Sequence, residues 1–175
     1  MKTISQAWQT MASRSGDLPS ALMAGAAAGF VATAPMTAAM ELMHRRLPWW
    51  ERYNLPPSQI MTRIKVQIGL QRHINQSEHI TVTLLAHFGY GSAAGAVYAP
   101  IADNVPLPGV VKGIIFGLIV WAVSYLGLLP ALGILRPATR QPRRRSALMI
   151  AAHVVWGAAL GVLTDMIRPR QRPPH

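Results

Sequence analysis

The chain has no cysteine, only six Asp and Glu together, and just 13% charged residues over its 175 positions. The first absence excludes a disulfide framework, a thiolate metal site and a cysteine nucleophile, and leaves the redox compartment undetermined. The second sets the chain apart from an ordinary soluble domain, where about a quarter of the residues carry charge. Catalytic signatures are missing too. There is no glycine-rich phosphate loop, no His-Glu-x-x-His, no Gly-x-Ser-x-Gly and no close pair of carboxylates, so neither a hydrolase nor a nucleotide-driven pump is expected. The expectation is a non-enzymatic protein.

What is present is apolar. Hydrophobic residues make up 51% of the chain and mean hydropathy is +0.25, a composition that needs lipid as its solvent. The net charge of +11 does not call for nucleic acid, because the Lys and Arg residues fall in the polar segments between apolar runs, where membrane orientation accounts for them.

Four runs are long enough to cross a hydrocarbon layer of about 30 Å. They place spans at about 20–46, 80–102, 110–135 and 146–167, in a single membrane domain over 1–175. Some eighteen mostly polar residues precede the first run, which also continues far beyond any cleavage site near Ala24-Gly25-Ala26, so an uncleaved first helix is expected rather than a signal peptide. The fold expected is an all-α integral membrane protein of four transmembrane helices in two hairpins, with a short interfacial helix between helices 1 and 2. That helix is placed at about 57–73. There Pro56-Pro57-Ser58 makes a helix start, and Ile60, Met61, Ile64 and Ile68 share a face away from Arg63, Gln67 and Arg72. The alternation Ile64, Val66, Ile68, Leu70 also fits a strand, but a lone strand at a membrane surface has no partner for its edges. Trp49, Trp50 and Tyr53 suit the headgroup level.

Each span carries a Gly-x-x-x-Gly: Gly25 and Gly29, Gly91 and Gly95, Gly113 and Gly117, Gly157 and Gly161. Small residues one turn apart let helix backbones meet, and in lipid that close contact replaces the hydrophobic drive. A tightly packed bundle is expected, with Pro35 and Pro130 kinking their helices.

Two stretches 66 residues apart read almost as copies: Ala86-His87-x-x-Tyr90-Gly91-x-Ala93-x-Gly95 and Ala152-His153-x-x-Trp156-Gly157-x-Ala159-x-Gly161. They suggest a parallel repeat of two halves. His87 comes seven residues after Ile80 and His153 seven after Ser146, so parallel helices would hold both at one depth, about 10 Å from one surface. Three readings of the pair stay open. Each imidazole can hydrogen-bond a neighbouring helix, for example at a carbonyl freed near Pro35 or Pro130. The two can be axial ligands of a b-type haem. Or they can titrate near neutrality as a proton relay or pH switch in a proton-linked carrier.

The remaining charges read as structural. Glu41 has Arg45 at i+4 for an ion pair, Asp165 has Arg168 nearby, and Asp103 is expected to be a solvated loop residue. Arg140, Arg143, Arg144 and Arg145 form the densest basic run, a topogenic signal that also attracts anionic lipid headgroups. The segments after helices 1 and 3 hold eleven Lys and Arg against six on the other side, which places both larger loops in the cytoplasm. The partners expected are the bilayer, its anionic lipids, and a second copy or a larger membrane complex.

At His87 to Tyr98, at Gly113-x-x-x-Gly117 followed by Pro130-x-x-Gly133, and at His153-Val154-Val155-Trp156, the chain resembles YagU-like bacterial inner-membrane proteins. The resemblance covers helices 2 to 4. It implies a small polytopic protein of the bacterial inner membrane, in a family without a settled biochemical activity, and a connection with acid tolerance that a histidine pair would suit.

Overall fold

A computed structural model describes residues 4–52, 55–67, 69 and 76–168. Tyr53, Ile68, Leu70, Arg72, Arg170 and Arg172 lie outside the described residues. The elements are α1 (Ile4–Arg45), α2 (Pro56–Gln67), α3 (Gln76–Ala102), α4 (Gly109–Ala131) and α5 (Arg143–Ile167). Short 3-10 turns cover Trp49–Glu51 and Ala138–Arg140. Among the described residues there is no strand, so Ile64 and Val66 belong to a helix.

Among the described residues, four stretches are long and apolar enough to span a membrane: Leu18–Arg45, Ile80–Ala102, Gly109–Ala131 and Arg143–Ile167. Three of them match the sequence-based spans closely. The third stops at Ala131 rather than near 135, and Gly133 is the reason. With φ at +67°, Gly133 adopts the left-handed conformation that ends a helix. Its N–H donates to the Pro130 carbonyl at 3.0 Å, while the Ile134 N–H reaches the Leu129 carbonyl at 3.0 Å. These are the two bonds of a Schellman stop, and they explain the Pro130-x-x-Gly133 spacing.

The two prolines act differently. Helix α1 remains one helix through Pro19 and Pro35. Upstream of Pro130 the α4 ladder slips into a π-turn over Val123–Leu128, and the Leu129 N–H bonds the Ser124 carbonyl five residues back. Pro130 has no N–H with which to restore the regular ladder.

Hairpins α1/α3 and α4/α5 form, and α1 also packs broadly on α5, which gives the lateral order α3, α1, α5, α4. Each hairpin closes backbone to backbone. A Cβ on Gly25 would overlap the Gly95 carbonyl oxygen, and one on Gly29 the Gly91 oxygen. In the second hairpin, Gly113 faces the Gly157 oxygen, Gly161 faces Gly109, and Gly117 faces the His153 oxygen. Through these contacts Gly25 and Gly29 correspond to Gly109 and Gly113, and Thr33 takes the place of Gly117.

The hairpins resemble each other internally, and the order α3, α1, α5, α4 carries α3 onto α5 and α1 onto α4, so the two halves differ only in how closely they meet on either side. Helix α1 sits inside the row and its counterpart α4 at an edge, and α3 and α4 make only sparse contact. The physical cause is the asymmetric use of α1, whose Ala28, Ala32 and Thr33 are buried to 1% exposure or less. They leave room for the large Trp156 of α5, whose Nε1 donates to the Gly29 carbonyl at 3.3 Å.

Candidate functional site: an intramembrane chamber holding both histidines

Because α3 and α4 do not close on each other, a chamber of about 310 Å³ remains between them. Helix α3 contributes Thr83, Ala86, His87 and Tyr90. The π-turn and the residues after it contribute Ser124, Tyr125, Leu128 and Leu129. Helix α2 closes one end with Pro57, Ile60, Met61 and Ile64, the apolar face expected of an interfacial helix. Met40 of α1 and His153 of α5 also border the chamber. The two histidines thus share one space. His87 follows Gln76 by eleven residues and His153 follows Arg143 by ten, about 15 Å of helix in each case.

The π-turn positions the wall. Ser124 and Tyr125 within it are both buried at 6% exposure. The Ser124 hydroxyl shares a hydrogen bond of 2.9 Å with the Tyr90 hydroxyl across the α3–α4 gap, and the Tyr125 hydroxyl donates to Met149 Sδ at 3.3 Å. π-turns recur where a helix must aim side chains off its regular register.

The imidazoles are held differently. His153 is 6% exposed, stands edge-on to Tyr125, and its Nδ1 lies 2.7 Å from the Met149 carbonyl of its own helix. A carbonyl only accepts, so in the neutral ring Nδ1 carries the hydrogen and Nε2 keeps a lone pair. His87 packs edge-on to Phe88, and its Nε2 is buried without a hydrogen-bond partner, as is Oγ1 of Thr83. Among the described residues neither imidazole bonds a neighbouring helix, the bond that the first of the three open readings called for. The carbonyl that His153 uses belongs to the preceding turn of α5, which is the nearest acceptor.

Ion pairs sit at both ends of the bundle, and the sequence assigns only the one near α2 correctly. Glu41 and Arg45 pair as expected at 2.8 Å. Asp165 instead pairs with Lys112 at 3.7 Å, and Arg168 with Asp103 at 2.9 Å, so Asp103 is an ion-paired residue and not a free loop carboxylate. Lys112 is 6% exposed, and its Nζ also donates to the Ala102 carbonyl at 3.1 Å. The apposition of Gly109 and Gly161 brings Lys112 against Asp165, and no spacing within either segment encodes that meeting. The Asp165 carboxylate also lies against Gly109 at the start of α4, where a helix N-terminus favours negative charge.

The four arginines grouped by the sequence divide. Arg140 and Arg145 line a separate cavity of about 460 Å³ with Arg63 and Arg136, whereas Arg143 and Arg144 do not. No curated protein and no solved structure matches this chain significantly. Residues 26–162, which run from within α1 to near the end of α5 and so include the chamber, match the family described as "Protein of unknown function (DUF1440)", and the chain belongs to that family.

Proposed function

We propose that this is a structural or accessory protein of the membrane, non-enzymatic, that associates with itself or with a larger complex. The carrying observation is the backbone-to-backbone fit of Gly25 and Gly29 on Gly95 and Gly91, and of Gly113 on Gly157. Such fits commit most of the small-residue surface to holding four helices in one arrangement. The chamber chemistry agrees with this reading. Its one serine, Ser124, is engaged by Tyr90, and His153 is oriented by a main-chain carbonyl, where an activated nucleophile would need a base aimed at it. The likeness of α3 to α5 to YagU-like proteins supports the bacterial inner membrane as the location.

The test is assembly. The His87→Gln/His153→Gln double variant is expected to express, insert and run on size exclusion as the parent does, because Gln keeps a polar group at each site. Loss of the folded species would overturn a role for the histidines limited to helix contacts.

A second reading, a proton-linked or pH-sensing carrier, is favoured by one observation: His87 Nε2 is buried and unpartnered in the same chamber as His153. Proteoliposomes given a pH step distinguish the two. The structural reading expects the parent and the His87→Gln variant to dissipate the gradient equally, and faster dissipation by the parent would favour the carrier. A Soret band in the purified protein, lost on replacing His87, would instead assign the pair to haem b.

A further inference from the structure

The larger cavity lies between α2 and the connection from α4 to α5. Arg63 reaches it from α2, Arg136 and Arg140 from the connection, and Arg145 from the first turn of α5. None of the residues lining it is Asp or Glu. Four guanidinium groups around one space with no carboxylate in its lining make the site attractive to an anion. Its walls are fixed. Arg145 Nη2 donates to Gln59 Oε1 within the lining, and just outside it Gln67 Nε2 donates to the Leu132 carbonyl at 3.1 Å and Ser146 Oγ to the Ala138 carbonyl at 3.2 Å, tying together the elements that carry the walls.

Two further observations define the missing partner. The cavity sits at the end of the spans where Trp49 and Trp50 are exposed, at 77% and 67%, the depth at which lipid headgroups lie. Ile134 lines both this cavity and the apolar chamber, so apolar room adjoins the arginines. We propose that the cavity holds the phosphate of an anionic phospholipid, with one acyl chain passing Ile134 into the chamber. Guanidinium forks match phosphate oxygens in pairs. A free phosphate would use the arginines alone and leave the adjoining apolar space unexplained. This inference is independent of any role for the histidines.

The test uses the full chain purified in neutral detergent and offered equal amounts of phosphatidylglycerol and phosphatidylcholine, with retained lipid read by native mass spectrometry. The parent is expected to retain phosphatidylglycerol preferentially. Arg63→Gln/Arg140→Gln is expected to reduce that preference roughly thirtyfold, from about fivefold per basic residue. Arg143→Gln/Arg144→Gln removes the same formal charge outside the cavity and is expected to keep most of it. If the first pair does not fold, Arg63→Lys/Arg140→Lys preserves charge without the forks and is expected to weaken retention measurably. Ala86→Phe, which fills the chamber, is expected to lower retention as well. Equal loss in the two Gln pairs, or no preference between the lipids, would overturn the proposal. Displacement by millimolar inorganic phosphate would assign the cavity to a small anion instead, and unchanged retention in Ala86→Phe would remove the acyl chain from the chamber.

Discussion

Glycines divide sharply by what surrounds them. At Gly113 a side chain would collide with the main chain of Gly157, whereas at Gly89 and Gly127 a Cβ meets nothing within 4 Å. Gly113→Leu is therefore expected to destabilise the bundle by at least about 2 kcal/mol, read as a lower melting temperature in detergent, while Gly89→Leu and Gly127→Leu stay near the parent. Equal effects at all three positions would contradict the backbone contact. The histidines differ in the same way. His87→Leu removes a buried imidazole whose Nε2 has no partner, so stability is expected to hold or rise. His153→Leu discards the bond to Met149 and is expected to cost about 1 kcal/mol. The sequence brought the pair to notice through the repeated Ala-His-x-x-aromatic-Gly pattern. It gave no indication that one ring bonds its own helix and the other bonds nothing, since that depends on which neighbours surround each ring.

Elements are tied by a few polar links across helices. Lys112 connects α4 to the Ala102 carbonyl of α3 and to Asp165 of α5. Lys112→Met is expected to destabilise by about 1–3 kcal/mol, because the Asp165 carboxylate loses its ammonium partner while the Ala102 carbonyl keeps the Val105 N–H. Asp165 is 43% exposed, so water limits the cost to that range. Thermal unfolding of Lys112→Met beside Arg46→Met, at an exposed position past the end of α1, measures the difference. Across the chamber, Tyr90→Phe removes the hydroxyl contact to Ser124 and is expected to cost about 0.6 kcal/mol, the usual worth of a bond between membrane helices. These links were the least legible features in the sequence. Spacing along one helix identifies Glu41 with Arg45, but Asp103 with Arg168 and Lys112 with Asp165 are partners across 65 and 53 positions, decided by how the hairpins dock. The π-turn was legible only as a proline-induced disturbance near Pro130, because the choice between kink and slipped ladder depends on how Tyr125 and Ser124 pack.

At the scale of the whole molecule, the basic residues gather at the end that carries α2 and the α4–α5 connection. By the positive-inside tendency that end is expected to face the cytoplasm, an expectation open to direct test. The chain has no cysteine, so single introduced cysteines report orientation without background. Asn104→Cys is expected to react with a membrane-impermeant maleimide in intact cells and Thr139→Cys only after permeabilisation, and the reverse pattern would invert the assignment. The lateral order α3, α1, α5, α4 also leaves α3 and α4 as edges with the chamber between them. The two hairpins keep equivalent glycine contacts, but α1 meets α5 closely where α3 and α4 stay apart, because the small residues of α1 receive Trp156.

By itself the sequence determined that the chain is helical and apolar enough to cross a membrane four times, since length and hydropathy of each run are local properties that lipid reads directly. It did not mark where α4 stops, since the apolar run continues to Leu135 and only the left-handed Gly133 ends the helix at Ala131. Tertiary structure alone decided that α3 and α4 stay apart, that His87 and His153 border one chamber, and that Arg63 joins Arg136, Arg140 and Arg145 around another cavity. Those outcomes depend on which helix faces meet, a choice set by steric fit between segments far apart in the chain.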